Sequence, residues 1–264
     1  MTDRRRSNGW TLVLRERRTS EPMLPMSFFG KRSFAVTNVA SFSMYFGMFG
    51  SIFFLSQYMQ NVLHNSPLQA GLKLLVWTGA TMVVAPLAGI FSERFGSRPF
   101  MFAGLTLQAG ALAWFASMAS TTLPYSHMIV PFVMAGAGMA LVFAPSANAV
   151  LASVRTEQAG QASGANNAIR EVGGVFGVAV LASVFTGAGG YTSPQAFVNG
   201  LIPALWVGVA VLAAGALVVL AFPFQARSVA EPAGAGRPAR APQPAPAATR
   251  EVRDAVPALS GEVA

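Results

Sequence analysis

The chain reads as an all-α membrane protein with six transmembrane helices, and three observations carry that reading. It contains six apolar runs, each about as long as a bilayer crossing requires, since about 20 residues at 1.5 Å rise span a hydrocarbon core of about 30 Å. Between Arg32 and Arg227 only eight side chains are charged, and they gather at the ends of those runs. Of the 264 residues 53% are hydrophobic and 11% charged, a composition that fits neither a soluble globule nor a disordered chain. A soluble domain needs charge spread over its surface, yet nothing from Pro99 to Val154 or from Val172 to Ala226 is charged.

Residues 1–33 precede the first span and form a basic leader, with Arg4, Arg5, Arg6, Arg15, Arg17 and Arg18 around an apolar stretch, Trp10 to Leu14. That stretch is too short for the core of a signal peptide. The first span, Phe34 to Gln60, carries Phe42, Phe46, Phe49 and Phe53 at helical spacing, with Tyr45, Gln57 and Tyr58 nearby. The second, Ala70 to Phe91, is opened by Ser66-Pro67, because proline suits a helix's first turn. Lys73 lies one turn inside it, at a cost of at most about 3 kcal/mol, less than the surrounding apolar residues gain on insertion. Its long side chain either snorkels to the outer interface or places a cation at the outer mouth of a pathway.

Ser97-Arg98-Pro99 opens the third span, Pro99 to Ala119, and the fourth, Met128 to Ser153, offers Met134, Met139, Phe143 and Asn148. Gly47, Gly50, Gly136, Gly138, Gly173, Gly174 and Gly177 lie within spans, where small residues let helix backbones approach closely. The fifth span, Asn166 to Thr186, begins with Arg170 and Glu171 about 7 Å past its start. Adjacent on a helix, they project about 100° apart and do not pair with each other. The sixth, Phe197 to Phe222, is nearly pure Ala, Val and Leu apart from Trp206, which predicts a peripheral, lipid-facing position. Residues 34–223 thus form the membrane domain. Residues 224–264 are rich in Ala, Pro and Arg with almost no large apolar side chain, the composition of a disordered tail.

Six spans put both termini on one side. Eight Lys and Arg precede the first span, two lie between the second and third, two flank the fourth loop and five follow the sixth, so 17 of 18 share one face. By the positive-inside rule that face is cytoplasmic, and a plasma-membrane location follows. The three opposite loops hold no Asp, Glu, Lys or Arg.

Composition also excludes functions. Without cysteine there is no disulfide framework, thiolate metal site or cysteine nucleophile. The net charge of +8 sits at span margins rather than on a folded basic face, which argues against nucleic acid. His64 and His127 lie in outer loops without carboxylate companions, so neither an enzyme nor a metal or cofactor site is expected.

The short loop Gly89-Ile90-Phe91-Ser92-Glu93-Arg94-Phe95-Gly96-Ser97-Arg98-Pro99 resembles the Gly-x-x-x-Asp-Arg-x-Gly-x-Arg signature of the major facilitator superfamily, with Glu93 in the acidic position. Its physical sense is a tight turn at Gly96 and an acid able to pair with Arg94 and Arg98, a latch between helix pairs that closes in one conformation and opens in the next. The alternative is an ordinary charged turn. The approach segment Arg17 to Met26 with Phe28-Phe29 and Arg32-Ser33-Phe34, the stretch Ser66-Pro67-Leu68-Gln69-Ala70-Gly71-Leu72, and Gly160-Gln161-Ala162-Ser163-Gly164-Ala165-Asn166-Asn167-Ala168-Ile169-Arg170 with Gly173-Gly174 are similar to the second half of the fourteen-span drug/proton antiporters of EmrB/QacA type.

That resemblance implies two inverted three-helix repeats, together one half of a major facilitator fold, with a substrate site between two such halves near mid-membrane. It implies that the first and fourth spans line the cavity with Phe42, Tyr45, Phe46, Phe49, Phe53, Gln57, Met134, Met139, Phe143 and Asn148; the alternative for this stripe is helix packing or lipid contact. Such side chains suit small lipophilic or cationic substrates, with protons as the coupling ion. Gly89, Glu93, Arg94, Gly96 and Arg98 become a cytoplasmic gating loop, and Asn167, Arg170, Gly173 and Gly174 a contact with the other half. The chain departs from the family in having no Asp or Glu in the middle of any span, whereas proton antiport needs a titratable intramembrane acid. It therefore reads as an incomplete C-terminal half that works with an N-terminal half or as a homodimer. The alternative is a non-transporting membrane protein that binds or regulates a partner through its helix faces.

Overall fold

Six apolar runs become six long helices in the computed structural model, which describes residues 28 and 30–222. They are α1 (Arg32–Asn61), α2 (Pro67–Phe95), α3 (Ser97–Met118), α4 (Tyr125–Ala152), α5 (Ala159–Ala188) and α6 (Pro194–Ala221), with a 3-10 turn at Thr156–Gln158 leading into α5. All six are long and apolar enough to cross a membrane, and among the described residues there is no strand. The tail expected over residues 224–264 lies outside the described residues, as does the leader except for its last positions.

Local chemistry sets the helix ends. Ser66 Oγ accepts from the Gln69 amide at 3.2 Å while Gln69 Oε1 accepts from the Ser66 amide at 3.0 Å. This reciprocal capping box, with Pro67 in the first turn, starts α2 three residues before the apolar run opens. Ser193 Oγ does the same for α6, accepting from the Ala196 amide at 3.1 Å. Between α2 and α3 the whole connection is Gly96 at φ 85°, a conformation that costs any residue with a Cβ. The fifth helix begins at Ala159, well before the apolar run at Asn166, and this added stretch buries Ala162 and Ala165 in a cluster with Phe28, Phe34 and Val150.

Only one pair of sequence neighbours, α3 and α4, is among the main packing partners. The most extensive interfaces are α3 with α4, α1 with α5, α2 with α4, and α3 with α6, followed by α1 with α6. Exchanging α1 with α4, α2 with α5 and α3 with α6 maps this pattern onto itself. That is the relation expected of two inverted three-helix repeats, whose members interleave instead of forming two separate bundles.

Small residues set the closest approaches. A Cβ built on Gly104 of α3 would lie 2.6 Å from the Gly138 carbonyl oxygen of α4, and one on Gly138 would lie 2.7 Å from that of Gly104. Gly173 of α5 similarly meets the Phe42 backbone of α1, 2.6 Å from its carbonyl oxygen. With no water to drive association inside a bilayer, such backbone approach is what holds helices together. Toward the C-terminal end of α1, Tyr58, Phe115 and Phe132 form a buried aromatic chain with centroid spacings of 5.8 and 6.0 Å. The Tyr58 hydroxyl donates to the Ser120 carbonyl, tying α1 to the loop after α3.

The expected lipid-facing role of the sixth span needs correction. Helix α6 turns Leu201, Ala204, Leu205, Gly208, Leu212, Gly215 and Val219 into the bundle. The barest helix is α2, with 11% of its most apolar window buried against 67% for α1 and 39% for α6. An apolar side chain satisfies lipid and protein interior equally, so an all-apolar helix carries no mark of which neighbour covers it.

Candidate functional site

The predicted aromatic stripe divides once its neighbours are in place. Phe46 is buried, its backbone against Gly177 of α5, and Phe42 is half-buried between the rings of Phe46 and Phe176, at 6.2 and 6.4 Å. Tyr45 is buried. Phe49 and Phe53 remain 41% and 42% exposed, Phe49 stacking near Tyr45 at 5.6 Å and resting on Gly174. Gln57 is half-buried and Tyr58 fully so. On α4, Phe143 is exposed, Met134 and Met139 are half-buried, and the Met139 sulfur lies 3.9 Å from Thr81 Oγ1 of α2. Asn148 does not join the stripe; its amide reaches Ser92 Oγ at 3.5 Å, at the C-terminal end of α2.

Arg170 draws the two proposed cavity helices together. Helix α5 carries it eleven residues past Ala159, about 16 Å along the axis. Its Nη2 donates to Ser146 Oγ at 2.7 Å and to the Phe143 carbonyl at 3.3 Å. The guanidinium lies 4.7 Å from the Phe143 ring centroid on α4 and 5.8 Å from that of Tyr45 on α1, within cation–π range. One helical turn earlier, Asn166 donates to Asn38 Oδ1 at 2.9 Å and to Ser41 Oγ at 3.1 Å on α1, and Asn38 in turn donates to the Phe34 carbonyl. All of Asn38, Ser41, Ser146, Asn166 and Arg170 are buried, so α1, α4 and α5 are joined by one polar seam within an apolar bundle. Sequence reasoning singled out Asn167, which is exposed, and missed Asn166, Asn38 and Ser146. The available signal was a polar residue inside each of three otherwise apolar runs.

Of the residues expected to contact another half, Gly173, Gly174 and Arg170 are committed to the chain's own α1 and α4. Only Asn167 presents an open surface. Glycine at the first two positions serves intramolecular packing, because a side chain there would strike the Phe42 backbone or the Phe49 ring.

The connection between α2 and α3 is built differently from a latch centred on Glu93. Glu93 and Arg94 are exposed, and no ion pair joins them or Arg98 to an acid among the described residues. Arg98 instead donates through Nε to the Val219 carbonyl at 3.0 Å and through Nη2 to the Leu220 carbonyl. It caps the C-terminus of α6, where free carbonyls and the helix dipole favour a cation. Gly89 approaches only Ala144, at 3.8 Å for an added Cβ, and its carbonyl accepts from Ser92 Oγ at 2.8 Å.

Near the N-terminal end of α2, Lys73 is neither free nor buried. Its Nζ donates to Asn65 Oδ1 at 2.6 Å and lies 5.1 Å from the Tyr125 ring, while the Tyr125 hydroxyl donates to the Lys73 carbonyl at 2.9 Å. His64 and His127 are exposed. No group of three or more His, Cys, Asp and Glu able to hold a metal occurs among the described residues.

Comparison with known proteins places this geometry. The family described as Major Facilitator Superfamily matches residues 37–260. The tetracenomycin C resistance and export protein of Streptomyces glaucescens is 31% identical over 191 residues, covering 72% of this chain and 35% of that protein. Multidrug resistance protein Stp of Mycobacterium tuberculosis is 34% identical over 171 residues, 64% of this chain and 31% of its own length. The multidrug efflux pump LfrA of Mycolicibacterium smegmatis is 31% identical over 179 residues, 68% of this chain and 35% of the pump. The chain thus spans about a third of the length of these relatives.

Proposed function

The chain belongs to the major facilitator superfamily, and from that premise we propose that it is a six-helix half of a drug exporter of the fourteen-span EmrB/QacA type, moving small lipophilic molecules outward in exchange for protons. The observation that carries this reading is the aromatic face left open on α1 and α4, where Phe49, Phe53 and Phe143 stand exposed beside the Arg170 seam. Aromatic and thioether groups with few fixed polar partners accept varied lipophilic shapes. Relatives named for export and multidrug resistance, each about three times as long as the aligned stretch, support both the activity and the role of this chain as the C-terminal half.

The titratable acid for proton coupling belongs, on this reading, to the companion half. Among the described residues the acids are Glu93, Glu157 and Glu171, and all three are exposed. Both termini face the cytoplasm and the protein resides in the plasma membrane, an orientation that follows from the basic loops. A symmetric homodimer is the other assembly the parallel relation of two halves allows. The bare acid inventory also favours a second reading, a non-transporting membrane protein that binds a partner through its exposed helix faces.

Reconstitution separates these. The chain in proteoliposomes, alone and with a separately made N-terminal half, is assayed for drug-dependent proton flux. Flux only with the companion is the expected result, flux from the chain alone identifies an active homodimer, and neither flux nor drug binding in either preparation refutes export. Single cysteines at Glu93 and Ser120, introduced into this cysteine-free chain, test orientation: impermeant maleimide should label only Ser120→Cys from outside intact cells.

A further inference from the structure

The group least explained by helix packing is Arg170. It is 7% exposed and sits within a membrane-length helix. Guanidinium offers five N–H donors and no acceptor, and the two hydrogen bonds it makes both leave from Nη2. Nε is sealed from solvent and has no partner among the described residues. Nη1 makes no hydrogen bond among them either, yet is not one of the sealed atoms, so three donors of a buried cation are uncommitted. No carboxylate among the described residues pairs with it: Glu171 is next in sequence but exposed, and the groups beside it include Tyr45, Ser146 and Phe143. Buried charges are ordinarily paired or fully hydrogen-bonded, because an unpaired one is costly in a low dielectric.

Two aromatic rings border the guanidinium, and Phe143, the nearer, is 37% exposed. A cation approaching this face meets a like charge, whereas an amphipathic anion meets N–H donors flanked by ring faces. We propose that Arg170, with Ser146, Tyr45 and Phe143, forms a recognition site for an anionic oxygen carried on an apolar body, a carboxylate or phenolate of a small molecule or the phosphate of a lipid. This rests on the export reading and narrows it, replacing cationic substrates with acidic amphipathic ones at this position.

The test uses the full chain in phosphatidylcholine nanodiscs and three probes of one shape: naphthylacetate, its neutral methyl ester, and a naphthylmethyl trimethylammonium cation, each followed by its fluorescence. The carboxylate should bind about tenfold or more tighter than the ester, the difference one charge-assisted hydrogen bond makes, and the cation weakest. Arg170→Gln should erase that preference, and Arg170→Lys, which keeps the charge, should retain part of it. Monodisperse elution and a wild-type circular dichroism spectrum show that the variants are folded. Equal affinity for carboxylate and ester in the wild type, or a preference that survives Arg170→Gln, overturns the site while sparing the export reading. Binding of none of the three also overturns the site and leaves the export reading to the flux assay with the companion half. Phosphatidylglycerol added to the nanodiscs distinguishes sources: competition with naphthylacetate that disappears in Arg170→Gln assigns the anion to lipid phosphate, and its absence assigns it to the soluble acid.

Discussion

Replacing Gly138 by Ala tests whether backbone contact at the α3–α4 seam holds the bundle together. The added methyl would lie 2.7 Å from the Gly104 carbonyl oxygen, 2.8 Å from the Gln108 amide nitrogen and 3.1 Å from Gln108 Cβ. Ordinary contact begins near 3.4 Å, and two of these three atoms are backbone, so no side-chain rotation relieves the clash. The helices must part by about 0.7 Å, a cost of about 1–3 kcal/mol for overpacking a fitted interface. A control sits on the same helix as the partner: a Cβ on Gly110 meets nothing within 4 Å, so Gly110→Ala keeps only the helix-propensity gain, up to about 1 kcal/mol. Thermal unfolding of both variants in one detergent, followed by circular dichroism, should place Gly138→Ala below the wild type and Gly110→Ala at or above it. If Gly138→Ala melts at or above Gly110→Ala, the seam is not under backbone contact and the packing argument fails.

Three further outcomes are expected. Phe46→Ala should lower thermal stability, because it empties space between α1 and α5, whereas Phe49→Ala should leave stability within about 0.5 kcal/mol and alter drug range in an assembled transporter; the reverse pattern would mean that Phe49 packs and Phe46 lines. Removing the α6 cap with Arg98→Ala should cost about 1 kcal/mol, since the bonds are only partly buried, and should speed amide exchange over residues 218–221. Unchanged exchange there would leave Arg98 without its capping role. Ser66→Ala removes one arm of the capping box and should cost about 1 kcal/mol, read as fraying of the first turn of α2 by the same exchange experiment.

The drug-range assay depends on which residues face the cavity, and the structure redistributes them. Phe46 and Phe53 lie on nearly the same face of α1, seven residues and about two turns apart, yet one is buried and the other exposed. Helix α5 covers the first and does not cover the second. Glu93 and Arg98 show the same limit in the loop. Their spacing suggests an ion pair, but Arg98 is claimed by carbonyls at 219 and 220, residues over a hundred positions away. The buried polar seam was visible only as scattered Asn and Ser residues, because its meaning depends on Asn38, Ser146 and Arg170 meeting across three helices.

Hydrophobic length and charge placement by themselves determined that this is a six-helix membrane protein, since a bilayer demands about 20 apolar residues per crossing and rejects charge wherever it lies. Turn chemistry at Ser66-Pro67 and Gly96 was equally legible, because caps and turns act over three or four residues. Which helices touch was decided only in three dimensions: α1 packs far more extensively on α5 than on α2, and α2 far more on α4 than on α1 or α3. Lipid tails and protein interior are equally apolar solvents for a Leu or Val. Hydropathy therefore says that a residue is in the membrane and leaves its neighbour to the packing.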